Sequence, residues 1–144
     1  MKHKTVTTIL FTLYCAMMLW LLFGQRVGWA NDLPYLTQLT NNLNLIPFRT
    51  ICRYFGNMCS QELLFESVKN LAGNIILFIP LGMMPMIWKS MQKFSRYILT
   101  VTVIIILVEI IQLFTLLGAC DIDDLILNLL GATAGFFLDR KRHV

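Results

Sequence analysis

Glu109 and Gln112 stand three residues apart inside a run of Ile, Leu and Val that holds no other strongly polar group. Three apart on a helix is one face, so a carboxylate and an amide look the same way from membrane depth. Downstream come Asp121, Asp123, Asp124 and Asn128. If the chain is helical from Asp121, then Asp121, Asp124 and Asn128 share a second face, and Asp123 points elsewhere, toward the headgroup region. Two such faces turned together make one acidic pocket. Carboxylates in that arrangement work as acid and base, or hold a hard divalent cation when amide oxygens stand beside them. Glu109, Asp121 and Asp124 are therefore the candidate catalytic and metal-ligating residues. Asn74 adds an amide, and Arg49 and Arg53, four apart, present planar forks of donors suited to phosphate or to carboxylates. The candidate ligand-binding set is Arg49, Arg53, Asn74, Glu109, Gln112, Asp124 and Asn128.

Each of these residues also has a plainer reading. Asp is favoured in the first turn of a helix by capping and by the helix dipole, which is enough to explain Asp121 and Asp123. Asn74 and Asn128 can serve as hydrogen bonds between helices, and Arg49 and Arg53 can lie among anionic headgroups. Glu109 differs, because a mid-span carboxylate has no capping role and costs about 2.5–3.5 kcal/mol to insert. Zinc and histidine-based catalysis are excluded on other grounds. His3 and His143 sit in the tails, and Cys15, Cys52, Cys59 and Cys120 show neither a C-x-x-C nor a ligand spacing. Cys15, inside an apolar run, packs as a small hydrophobe. Cys52 and Cys59 fall on the same side of the membrane, and their pairing stays open.

The elements that position these groups are membrane spans. Of the 144 residues, 57% are hydrophobic and 14% charged, against roughly 45–50% and 25% in soluble domains. A soluble globule, a coiled coil and a disulfide scaffold are all poor fits. The net charge of +4 does not point to nucleic acid, since the basic residues cluster at the ends of apolar runs with no stripe for a phosphate backbone to follow. The expected fold is all-α, one membrane domain over residues 1–144, with four transmembrane helices at about 5–24, 71–88, 97–117 and 122–138. At roughly 20 residues per crossing the first run is long enough to span, and it exceeds the core of a cleaved signal peptide, with only Gly28-Trp29-Ala30 as a weak cleavage site. Pro80, Gly82 and Pro85 predict a broken second span. The fourth begins inside the acidic patch.

Four spans put both termini on one side. A cytoplasmic location gathers Lys2, Lys4, Lys89, Lys93, Arg96, Arg140, Lys141 and Arg142 in short inner loops and tails, where the positive bias counts most. Residues 25–70 then form a long extracytoplasmic segment. Its aromatic residues, among them Trp29, Tyr35, Phe48, Tyr54 and Phe55, suit the headgroup level. Ile46-Pro47-Phe48-Arg49 reads as a turn, and Leu64, Val68 and Leu71 at helical spacing predict a short amphipathic helix leading into the second span. Gly131-Ala-Thr-Ala-Gly135 is a small-xxx-small pattern for close helix packing. In this topology Asn74, Glu109, Gln112, Asp121, Asp123, Asp124 and Asn128 all lie toward the outer face, and the inner halves of the spans hold no such groups.

Four segments in order, Asn44-Leu-Ile-Pro-Phe48, Asn74-Ile-Ile-Leu-Phe-Ile-Pro-Leu-Gly82, Glu109-Ile-Ile-Gln112 and Asp121-Ile-Asp-Asp124-Leu-Ile-Leu-Asn128-Leu-Leu-Gly131, resemble the VanZ-like family from about residue 44 to 138. The resemblance implies a bacterial cytoplasmic-membrane protein of the cell envelope, in a family named for a link to teicoplanin resistance. Many relatives carry an arginine just ahead of the D-x-x-D segment, where this chain has Gly118-Ala119-Cys120, so a cationic partner must come from elsewhere, Arg49 or Arg53 being candidates. Three functions compete. One is a module binding a membrane lipid or lipid-linked cell-wall component in an outward polar pocket. The second is an enzyme acting on a lipid-linked phosphate or sugar, with a divalent cation as its implied cofactor. The third is a small transporter, which the bare inner halves disfavour.

Overall fold

The computed structural model describes residues 2–24, 33–57 and 61–141. Gly28–Ala30, Trp29 and Cys59 lie outside them. The chain is helical apart from one short pairing: α1 (Lys2–Phe23), α2 (Tyr35–Asn41), β1 (Leu43–Asn44), α3 (Arg49–Asn57), α4 (Gln61–Phe78), α5 (Met84–Ile87), α6 (Phe94–Thr115), β2 (Cys120–Asp121) and α7 (Ile122–Lys141). Among the described residues three helical stretches are long and apolar enough to cross a membrane, Thr5–Phe23, Ser67–Ile87 and Phe94–Thr115. The expected fourth span, α7, has the length but opens with Asp123 and Asp124 in its first turn.

Pro80 and Pro85 break the second span as their chemistry requires, because neither has an N–H to donate up the helix. The α-helix ends at Phe78, tightens to a 3₁₀ segment over Ile79–Met83, and resumes for one turn of α5. Each long helix turns a narrow stripe inward. On α6 the stripe is Tyr97, Val101, Ile105, Glu109 and Gln112; on α1 it is Phe11, Tyr14 and Met18. Partly buried residues such as Leu22, Ile98 and Ile104 flank these stripes, and other apolar side chains, among them Leu13, Trp20, Leu99, Leu107 and Phe114, are exposed. That inside-out pattern suits a lipid-facing surface.

Side-chain contacts establish how the helices run. The Gln112 amide donates to the Leu22 carbonyl at 3.0 Å, so α1 and α6 end together. The start of α1 lies at the other extremity, where the Phe11 ring meets Trp88 at 5.6 Å. Midway, the Tyr14 hydroxyl donates to the Leu77 carbonyl at 2.7 Å. Helix α7 runs alongside α4 in the same direction. A Cβ on Gly131 would collide with the Ile75 carbonyl, and one on Gly135, four residues on, with the Ile79 carbonyl. The small-xxx-small pattern therefore brings two backbones into direct contact. Tyr97 ties α6 to α7 by donating to the Ala132 carbonyl at 2.8 Å, with its ring 4.7 Å from Phe136. Helices α1 and α6 run one way, α4 and α7 the other.

Residues 33–57 are folded against one end of this bundle. Strand β1 pairs in parallel with β2, Leu43 opposite Cys120 and Asn44 opposite Asp121. The Cys120 N–H donates to the Asn42 carbonyl at 2.8 Å, and the Tyr35 hydroxyl to the Phe114 carbonyl at 2.8 Å. The predicted turn is present, with Phe48 in the left-handed region at φ 64°. The predicted amphipathic helix exists as the first part of α4, but its inward face differs. Leu64 and Val68 are exposed and Ser67 is buried, because that face of α4 meets polar partners and not the apolar core.

Candidate functional site

Where α6 ends and α7 begins, the polar side chains converge at one end of the bundle. Asp121 is the hub. One carboxylate oxygen accepts the backbone N–H of Asp123 at 2.8 Å, which is the N-cap bond of α7. The other accepts the Thr50 hydroxyl at 2.6 Å and the Asn44 amide at 3.1 Å. The Asp121 N–H donates to a Glu109 carboxylate oxygen at 3.3 Å. A single residue thus caps its own helix and joins α6, β1 and α3.

Asp123 corrects the expectation that it points to the headgroups. It is fully buried, and its carboxylate accepts the backbone N–H groups of Phe48 at 2.5 Å, Thr50 at 2.7 Å and Ile51 at 3.0 Å. These are orphan donors at the start of α3. A helix normally satisfies them with a Ser, Thr, Asp or Asn at its N-cap, but Phe48 occupies that place and has no acceptor. Asp123 supplies it from a distant element, with the charge favoured by the α3 dipole. The helical wheel correctly separates Asp123 from the Asp121–Asp124 face; its partner came from tertiary pairing.

Asp124 faces the other way, toward α4. One of its oxygens accepts the Asn74 amide at 2.5 Å. Asn128, one turn along, is 4% exposed, and Ser67 on α4 is 1% exposed; among the described residues the Asn128 Oδ1 and the Ser67 Oγ have no hydrogen-bond partner. Asp124 itself is half-buried and forms the accessible edge of this seam. The Tyr54 phenol is close enough to feel its charge. Burial pushes its pKa up, the Asp124 and Asp121 carboxylates push it further, and Arg53 and a hydrogen bond with Asn70 pull it back. Burial raises the Cys120 thiol as well, helped by Glu109 and Asp121.

The predicted residues divide accordingly. Glu109, Asp121, Asp124, Asn74 and Asn128 come together at one end. Gln112 is at the same end, but its amide is engaged by the end of α1. Arg49 and Arg53 are exposed on α3, about 100° around the helix from Thr50 and Tyr54, so the Thr50 hydroxyl meets Asp121 and the Tyr54 phenol bonds Asn70 while the guanidinium groups line the rim. Among the described residues no three Asp, Glu, His or Cys side chains gather closely enough to share a metal ion, so Glu109, Asp121 and Asp124 are not brought to one point. Cys52 is exposed with a free thiol. Thr50, Tyr54, Ser67 and the role of Asp123 were not foreseen. Thr50 and Tyr54, at i and i+4, carried a signal in their spacing.

A helical membrane protein with its buried polar groups collected at one end is the class that this fold and site define. Within that class the chain belongs to the VanZ/LLP1 family, whose profile matches residues 11–140. No curated protein and no solved structure matches it.

Proposed function

We propose that this chain is a four-span protein of the bacterial cytoplasmic membrane that binds a lipid or lipid-linked envelope component at its polar end. Through that occupancy it contributes to glycopeptide, specifically teicoplanin, resistance. The 20 residues of α7 reach about 30 Å, enough for a fourth crossing, and the opposed directions of α1 and α6 against α4 and α7 are those a four-span path needs. Lys89 and Lys93, between α5 and α6, and Arg96, in the first turn of α6, lie at the end opposite the carboxylates, which supports an inner location for that end and for both termini. Residues 25–70 are then the outer segment.

The observation that carries the reading is the collection of Ser67, Glu109, Asp121, Asp123 and Asn128, all buried, at one end of a bundle whose rim exposes Arg49 and Arg53. The arginines suit a phosphate in the headgroup layer, and the half-buried Asp124 lies between rim and interior. A bound component at this position changes what a lipophilic glycopeptide meets at the outer leaflet. An enzyme acting on a lipid-linked phosphate or sugar is the second reading. It has less support, since Asp121 is committed to backbone and side-chain donors from three elements.

The test is the teicoplanin susceptibility of a sensitive Gram-positive host at matched membrane levels of each variant. Wild type should protect, Arg49→Ala with Arg53→Ala should lose protection, and Glu109→Gln should keep part of it. Loss in Glu109→Gln and Asp124→Asn, with protection intact in the arginine variant, favours acid–base or metal chemistry instead. Absence of protection by wild type removes the resistance role.

A further inference from the structure

Residues 33–56 are packed with their polarity reversed. Among the described residues of that stretch none is buried, and Leu36, Leu43, Leu45, Ile46, Phe48 and Phe55 are each between 43% and 73% exposed. What fastens the segment to the bundle is polar instead. The Thr50 hydroxyl and the Asn44 amide bond Asp121, and the N–H groups of Phe48, Thr50 and Ile51 bond Asp123. Backbone donors around the turn are used as well. The Arg49 N–H donates to the Ile46 carbonyl at 3.3 Å and the Cys52 N–H to the Phe48 carbonyl at 2.8 Å. So many bulky apolar side chains on so short a stretch make a poor surface for water and mark a contact with membrane or protein.

We infer that residues 33–56 are an interfacial anchor, held in the outer leaflet with their apolar side chains among the upper acyl chains. The reversed polarity is that of α1 and α6, which also turn polar groups inward and apolar ones out. The segment continues their lipid-facing surface: the Tyr35 hydroxyl bonds the carbonyl of Phe114, whose own side chain is exposed at the end of α6. Charge is placed to match a bilayer. On the exposed arc of α3, Arg49 and Arg53 lie about 120–160° around the helix from Phe55. Phe55 therefore reaches toward the acyl chains while the arginines stay among the phosphates, the division that an interfacial helix makes. Backbone groups paired within the protein suit a layer where water is scarce. The choice of leaflet follows from the proposed orientation. The anchor itself does not require that one particular lipid occupy the polar end.

The experiment maps two labels on the wild-type chain in nanodiscs of phosphatidylcholine and phosphatidylglycerol. Hydroxyl radicals made in the water oxidise wetted Leu, Ile and Phe side chains, and a phosphatidylcholine with a diazirine on its acyl chain marks those in lipid. Peptides covering Leu36, Ile46 and Phe55 should take the acyl label and escape oxidation. A diazirine near the carbonyl end of the chain should label them more than one near the methyl end, because an interfacial helix sinks only about 5–10 Å into the boundary. Val103, exposed midway along α6, should show the opposite order. The pattern should persist in Asp124→Asn, which separates the anchor from a lipid held at the polar end; loss of the label there overturns the inference. Oxidation without acyl label places the segment in water and overturns it. Neither label means that a second copy or another protein covers the face, and this overturns it too.

Discussion

Replacing Asp123 tests the physical logic of the outer segment. Its carboxylate holds three backbone N–H groups at 2.5, 2.7 and 3.0 Å from the first turn of α3 and the residue before it. Hydrogen bonds to a charged group contribute about 1.5–3 kcal/mol each, and bonds to one acceptor are not additive. Phe48 is exposed and Thr50 half-buried, so water recovers part of the loss. Asp123→Ala should therefore destabilise the docking of residues 43–57 by about 3 kcal/mol. Asp123→Asn, which keeps one acceptor and turns a donor toward N–H groups, should cost roughly two-thirds of that. A loss of 3 kcal/mol is about a hundredfold in an opening equilibrium. Hydrogen exchange at the Thr50 and Ile51 amides should accelerate by that factor in Asp123→Ala, while exchange in the middle of α6 stays within about threefold of wild type. Unchanged Thr50 and Ile51 exchange, or a uniform acceleration over all helices, would refute the idea that Asp123 acts as the missing cap of α3.

Other perturbations probe the bundle and the site. Gly131→Ala and Gly135→Ala place a methyl on the Ile75 and Ile79 carbonyls, and each should lower stability by about 1–3 kcal/mol in thermal unfolding. Gly73→Ala meets nothing within 4 Å and should be neutral or stabilising by up to about 1 kcal/mol. Tyr97→Phe removes the hydroxyl bond to Ala132 and should cost about 0.6 kcal/mol, a typical interhelical value. In a variant with Cys15, Cys52 and Cys59 replaced by serine, Cys120 should react with an impermeant maleimide added outside, and slowly at pH 8. Its raised pKa keeps the thiol protonated there, so the rate should climb as pH rises above the usual thiol range. Glu109→Gln removes a negative neighbour, lowers that pKa and should speed the reaction at fixed pH; an unchanged rate contradicts their proximity.

Periodicity and hydropathy made much of the bundle legible in advance. Glu109 and Gln112 fall on the inward stripe of α6 because 3.6-residue spacing requires it, and Pro80 and Pro85 break the second span by lacking donors. Gly131 and Gly135 could be read as a packing surface from size alone. The site was less legible because its partners come from distant elements. Asp123 reads as a helix-start residue, yet the start it caps is that of α3, which the pairing of β1 with β2 and the Thr50–Asp121 bond bring beside α7. Arg49 and Arg53 drew notice for their charge. On so short a helix, which face turns inward is settled by docking, and Thr50 and Tyr54 took that place. Ser67 was hidden between Leu64 and Val68, whose apolar spacing drew the inward stripe one step around the helix from it.

The central claim is that the polar end of the bundle holds a lipid. Native mass spectrometry of the chain, released from bacterial membranes in a mild detergent, measures this directly, with wild type beside Arg49→Ala/Arg53→Ala and Asp124→Asn. The account predicts a lipid or lipid-linked adduct retained by wild type at about one per chain and largely lost from both variants. A wild type that carries no adduct, or variants that retain the same adduct to the same extent, would contradict it.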